Sequence, residues 1–303
     1  MKKAIRYSVF VCLISWAAAG VAHWCFGMSA KDTPTFFSIF AVAYMFLPML
    51  TALALQAIDK EKFNHTGLVR IAPTWLWAVA LLLPVAMALL CIPVNAMFPG
   101  VELLYNADQL IEQYHIPEKQ QPMVRMSIEQ MSAAKMLLTT VVSAIIAGAS
   151  INALVAFGEE YGWRNYLVGA LRGLKFWPSA LFIGFVWGIW HFPIILMGHN
   201  YPNEPVWGVP MMVAVCILMG VLELYFVLKT RSMVVAAIMH GTFNAISGMV
   251  IFYVRGGNDL VNGMPGLSGL IVMALAIACI ALYDRYISRD NICRMTLGEA
   301  LER

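Results

Sequence analysis

An all-α bundle of about eight membrane-spanning helices is the fold this sequence predicts, and three observations predict it. Of 303 residues, 61% are hydrophobic and 12% charged, with a mean hydropathy of +0.74, whereas a soluble domain is about 45–50% apolar and about 25% charged. A water-soluble fold has nowhere to put that much apolar surface. The apolar residues gather in runs of about 20, the length that crosses a bilayer as a helix. Between the runs, Lys and Arg alternate from rich to poor loop by loop, as a positive-inside topology requires.

The first run, Tyr7–Phe26, follows Met-Lys-Lys and contains Ala17-Ala18-Ala19, features shared with a cleavable secretory signal. Its length and its bulky end, His23-Trp24-Cys25-Phe26, instead predict an uncleaved first helix. Phe36–Ile58 and Trp75–Met97 follow as simple spans. Met136–Leu171 is too long for one simple crossing, so it must tilt or emerge as a juxtamembrane helix. Phe176–Met197, Trp207–Leu228, Met233–Val254 and Gly266–Tyr286 complete the set. With no internal repeat, residues 1–303 read as a single integral membrane domain with a motif-bearing core at about 136–254.

The one sizeable connection, 98–135, carries Glu102, Asp108, Glu112, Glu118 and Glu129 against three basic residues. With Leu103, Leu104, Leu110 and Ile111 it reads equally as an amphipathic helix on the outer surface or as a solvated loop. The last eight residues, Thr296–Arg303, read as an ordinary polar tail without a lipidation signal. Of the 20 Lys and Arg residues, only Lys31, Lys119, Arg125, Lys135 and Arg255 fall on the outer side when the N-terminus is placed in the cytoplasm. Both ends are therefore expected to be cytoplasmic.

Two classes of function are disfavoured early. A net charge of +3 and the lack of a basic run interleaved with aromatics argue against nucleic acid as a partner. The six cysteines are scattered with no C-x-x-C pair, which argues against a disulfide framework or a zinc knuckle. They read as small apolar residues.

Ionisable side chains at bilayer depth cost about 2.5–3.5 kcal/mol each on insertion scales, so each demands a partner or a purpose. Here they cluster on four successive spans: Glu159, Glu160 and Arg164 on the fourth, His191 on the fifth, Glu223 on the sixth, His240 and Asn244 on the seventh. Glu160 and Arg164, four apart, share a face and can pair, while Glu159 is rotated by about 100° from Glu160 and points elsewhere. His240 and Asn244 form one hydrogen-bonding stripe, and Trp187 lies one turn before His191. Glu223 is expected to act as a support or to be neutralised locally, Lys229 being six residues away. At about 1.5 Å per residue, Glu159 lies about 20 Å, His191 about 24 Å and His240 about 13 Å from their cytoplasmic ends, a mismatch unless the fifth helix starts late or tilts.

A carboxylate and an imidazole can activate one water, and a second imidazole with an amide can donate hydrogen bonds to a developing oxyanion. Those parts suit peptide-bond hydrolysis by water. Neither G-x-S-x-G nor H-E-x-x-H is present, so serine-hydrolase and zincin readings lack their motifs. Zinc held by Glu159, His191 and His240, with Asn244 orienting a bound water, is the metal-dependent alternative. A non-catalytic membrane scaffold and a proton-coupled transporter are the others.

Glu159-Glu160-x-x-x-Arg164, Trp187-x-x-x-His191 and His240-x-x-x-Asn244 together resemble the three motifs of the CAAX-protease and bacteriocin-processing intramembrane endopeptidases. The prenyl-protein endopeptidases belong to that group. Leu228-Lys229-Thr230-Arg231-Ser232 also looks like the family's approach to its third motif, and the resemblance covers about Ala156–Ala245. It implies eight helices around an embedded site opening towards the cytoplasm. Glu159 and His191 would activate the water, and His240 and Asn244 would form the oxyanion hole. Glu160 and Arg164 would be an ion pair holding Glu159, with Trp187 in support. No cofactor is implied. The substrate would be a peptide or a lipid-modified protein tail, with membrane lipid as the surroundings. Two positions depart from the family pattern: Trp187 stands where Phe is usual, and Asn165 follows Arg164 where Gly is usual.

Overall fold

The structure is a computed structural model and describes residues 1–103, 106–113, 116–288 and 290–303. Leu104, part of the expected surface helix, and Arg289, one of the cations expected on the cytoplasmic side, lie outside the described residues. The rest is almost entirely helical. In chain order the helices are α1 (Lys2–Phe26), α2 (Pro34–Tyr44), α3 (Leu47–Ile58), α4 (Trp75–Asn95), α5 (Ala107–Gln113), α6 (Gln121–Gln130), α7 (Ala133–Ala149), α8 (Ile151–Glu160) and α9 (Leu167–Ala170). They continue with α10 (Phe176–Trp190), α11 (Phe192–Leu196), α12 (Pro205–Thr230), α13 (Val234–Ile246), α14 (Leu267–Leu282) and α15 (Leu297–Glu302).

Hydrogen bonds and ion pairs between loops sort the two ends of this bundle. On one face, Arg6 pairs with Asp59, Met233 donates its amide to the Leu68 carbonyl at 2.9 Å, Lys229 pairs with Asp290, and Gly298 donates to the Arg172 carbonyl at 2.8 Å. We term this the proximal face; it holds both chain ends. On the distal face, Ala30 donates to the Met197 carbonyl at 2.9 Å, Asn203 to Asp259 at 2.8 Å, and β1 (Glu102–Leu103) pairs antiparallel with β2 (Val254–Arg255).

Among the described residues, six helices are long and apolar enough to cross a membrane, or seven if the bent pair α6–α7 is one span. The eight expected crossings are not all recovered by that measure, and the reason is physical. Ile151–Ala170 carries Glu159, Glu160 and Arg164, and α10 has only 15 residues because the helix breaks at His191. The segments that carry the polar cluster are the ones least like ordinary spans.

Three local departures from the sequence reading follow from backbone chemistry. The overlong fourth run is broken at Ser150, which leaves helical geometry between α7 and α8. After Glu160 the helix widens into a π-helix, Tyr161–Tyr166, of the kind that recurs at functional sites. The expected amphipathic surface helix is two short helices, α5 and α6, with a 104° bend between α6 and α7. The tail is also more than a polar end. Thr296 and Glu299 form a capping box, and Leu297, Ala300 and Leu301 are buried beside the 171–175 turn.

Glycine sets the spacing of the central helices. A Cβ at Gly184 would lie 2.5 Å from the Ile217 Cα, and one at Gly188 would lie 2.5 Å from the Val213 Cα. Gly184 and Gly188, four apart on α10, therefore let α12 approach at backbone contact, as small residues do between membrane helices.

Candidate active site

Glu159 ends α8 and is 2% exposed. Its Oε2 accepts the indole N–H of Trp187 at 2.6 Å and that of Trp163 at 3.4 Å. Oε1 takes no hydrogen bond among the described residues, so one oxygen is fixed and the other is available. Trp187, expected in support, contacts four members of the site. Its ring lies 4.5 Å beneath the Arg164 guanidinium and 5.2 Å from the His240 ring. Its carbonyl takes the Nδ1–H of His191 at 2.9 Å. A carbonyl can only accept, so His191 carries its proton on Nδ1 and keeps Nε2 free as an acceptor.

The expected ion pair is present but holds a different residue. Arg164 meets Glu160 at 3.1 Å. Glu160 in turn accepts from His240 Nδ1 at 2.8 Å, fixing that ring rather than Glu159. Glu223 is neutralised locally, by Arg164 as its second counter-ion, while Lys229 is engaged with Asp290. All three of Glu160, Arg164 and Glu223 are fully buried. No spacing rule links positions on separate helices, which is why the sequence could not pair Arg164 with Glu223.

Glu159, His191, His240 and Asn244 line one cavity of about 250 Å³. His240 and His191 are 5% and 6% exposed, and Asn244 is exposed. The Asn244 side chain makes no hydrogen bond among the described residues. The depth mismatch is absorbed at the start of α13. Ser232 and Met233 are fully buried there under the 59–74 loop, so the helix begins inside the bundle and His240 lies level with the others. His199 lines the same cavity.

The zinc alternative named Glu159, His191 and His240. Among the described residues, the donor atoms that converge within 4.8 Å belong to Glu160, Glu223 and His240. Arg164 contacts both of those carboxylates. A guanidinium in that position makes the set an ion-pair network and a poor cation cage.

The cavity lies on the distal side of this network. Its walls reach the 197–204 loop at His199 and Asn200, and Pro265 between β2 and α14. None of its lining residues comes from the proximal loops at 59–74, 171–175 or 231–233. The cavity therefore lies away from the face that holds both chain ends.

Residues 131–246 match the family model for type II CAAX prenyl endopeptidase Rce1-like proteins. Over that segment the chain is similar to the CAAX proteases. A curated relative, the CAAX prenyl protease 2 of Methanococcus maripaludis, is 25% identical over 138 residues, covering 44% of this chain and 48% of the relative. The match thus spans about half the length of that protein. Against the CAAX protease pattern, both departures make contacts the usual residue cannot. Phe at position 187 would have no N–H for Glu159. Gly at 165 would have no side chain to accept the Thr66 hydroxyl, a bond that ties the π-helix to the 59–74 loop.

Proposed function

We propose that this protein is an intramembrane endopeptidase that hydrolyses peptide bonds with water activated by Glu159 and His191. The observation that carries the reading is the shared cavity: three separate segments bring Glu159, His191, His240 and Asn244 to one space, and three of the four are oriented by a hydrogen bond on the side away from it. Glu159 takes a proton from water as the water oxygen attacks the peptide carbonyl carbon, with His191 Nε2 accepting the second water hydrogen bond. The carbonyl oxygen becomes an oxyanion, held by His240 Nε2–H and the Asn244 amide. The His240 ring then carries both protons, with the Glu160 carboxylate as counter-charge. Collapse breaks the C–N bond, and the proton on Glu159 passes to the leaving amine.

The step needs no metal, and Arg164 between the clustered carboxylates supports a metal-independent reading. The substrate is a peptide or a lipid-modified protein tail within reach of the bilayer; the relative's name places prenylated proteins among the candidates. The test compares cells expressing the native chain with cells expressing Glu159→Gln at equal membrane levels, surveying peptide termini by mass spectrometry. A terminus formed only with the native chain supports proteolysis and is then reproduced with purified protein. Identical termini, together with a deletion phenotype rescued by Glu159→Gln, would replace the enzyme with a membrane scaffold.

A further inference from the structure

The two faces of the bundle are unequal with respect to the cavity. On the proximal side the polar groups are backed by a closed floor. Glu160, Arg164 and Glu223 are fully buried, and Trp163 and Tyr166 close the space around them at 0% and 1% exposure. The 59–74 loop seals this floor by three ties: Thr66 to Asn165, the Leu68 carbonyl to the Met233 amide, and the Arg70 carbonyl to the Ser232 hydroxyl. A path from this face would have to break the buried ion-pair network.

On the distal side the cavity adjoins a cleft at the surface. A second cleft of about 320 Å³ lies against Ala30, Pro34 and Ser38 and shares Ala41, His199 and Asn200 with the catalytic cavity. The two spaces therefore adjoin across a shared wall, with Asn200 and Ser38 exposed at the outer cleft. Asn200 is held at a φ of 60°, the left-handed region that asparagine tolerates, where the backbone turns between α11 and α12. Ser247, at the end of α13, lies one turn beyond Asn244 on the distal side of the cavity.

The charge distribution assigns these faces. The proximal segments hold the great majority of the 20 Lys and Arg residues, whereas the distal segments hold only Lys31, Lys119, Arg125, Lys135 and Arg255. By the positive-inside rule the proximal face is cytoplasmic. Resting on the reading of this cavity as the catalytic site, we infer that substrate enters from the distal, extracytoplasmic face, so that the protein acts on outward-facing peptide segments and not on cytoplasmic protein tails. The family core is kept, but the side from which it is served is set by the mouth at Asn200 and by the loop charges.

Sidedness is measured by thiol accessibility, which does not require turnover. The full chain is expressed with Cys216, which lines the cavity, and the four cysteines that are not buried, Cys12, Cys25, Cys279 and Cys293, changed to Ser. Ser247→Cys reports the cavity, Asn200→Cys the mouth and Lys62→Cys the proximal loop. Right-side-out vesicles are treated with a charged, membrane-impermeant thiol reagent before and after permeabilisation. The expected result is reaction of Ser247→Cys and Asn200→Cys in sealed vesicles, and of Lys62→Cys only after permeabilisation. Reaction of Ser247→Cys only after permeabilisation would overturn the inference, as would labelling of Lys62→Cys in sealed vesicles. Labelling at Asn200→Cys with none at Ser247→Cys under any condition would also overturn it, by showing that mouth and cavity do not communicate. Failure of the proteolysis reading leaves this labelling pattern unchanged, so the two can fail separately.

Discussion

The indole N–H of Trp187 donates to Oε2 of Glu159 at 2.6 Å, across two helices and 28 positions of sequence. The carboxylate expected to activate water is thus aimed by an aromatic residue at a position where the family usually has one that cannot hydrogen-bond. Hydrogen bonds to a charged group contribute about 1.5–3 kcal/mol. Trp187→Phe keeps an aromatic ring beneath Arg164, removes the N–H and leaves a smaller side chain. The expected outcome is a fall in kcat of about 10–100-fold with little change in KM, measured on the purified protein with a cleaved peptide. An unchanged kcat would remove Trp187 from the positioning of Glu159.

Glu223 and Glu160 share one guanidinium, so neutralising Glu223 leaves Arg164 half-paired in a fully buried place. Removing one partner of a buried pair costs about 3–5 kcal/mol. Glu223→Leu should destabilise the protein by about that amount and lower activity in proportion to folded fraction. Glu223→Gln, which keeps an acceptor for Arg164, should lose less. Thermal unfolding in detergent, followed in parallel with turnover, separates the two variants.

Gly188 lies against Val213 of α12, three residues before His191. Gly188→Val would push α10 away from α12, because its Cβ would meet the Val213 Cα at 2.5 Å. Overpacking of this kind costs about 1–3 kcal/mol. Activity should fall further than stability, since the displaced segment carries both Trp187 and His191. Equal melting temperature and activity would show that α12 can yield at no expense to the site.

Metal removal gives a sharp outcome. If Glu159 and His191 activate water unaided, exhaustive chelation should leave turnover unchanged, and added Zn²⁺ should not raise it. Loss on chelation and recovery with Zn²⁺ would move the mechanism to the metal-dependent alternative.

The docked tail carries a pH signature outside the membrane. Hydrogen bonds from the Thr296 amide and hydroxyl hold the Glu299 carboxyl below its ordinary 4.5. A depressed carboxyl stabilises the folded form above the unfolded value and loses that contribution as pH falls through the folded one. Amide exchange across 297–302 should therefore speed up as pH falls below the ordinary 4.5 of this carboxyl, relative to the rest of the bundle. In Glu299→Gln that extra acceleration should be absent.

By itself the sequence determined that this chain is an all-α membrane protein, because 20-residue apolar runs have no other stable solution and because charge density alternates between them. It also determined which side chains are anomalous at bilayer depth, and the i, i+4 spacing within one helix identified Glu160 with Arg164 and placed Asn244 on the stripe of His240. Relations between helices were beyond it. That Glu160 holds His240, that Trp187 and Trp163 hold Glu159, and that Arg164 reaches Glu223 depend on how closely α8, α10, α12 and α13 pack and how far each is rotated. Glycine contacts such as Gly184 against α12, and the π-helix after Glu160, set those quantities. Which face the cavity opens towards is likewise a tertiary fact. It follows from the 59–74 loop closing one end of the bundle while the turn at Asn200 leaves the other open, and no periodicity within a single helix encodes that choice.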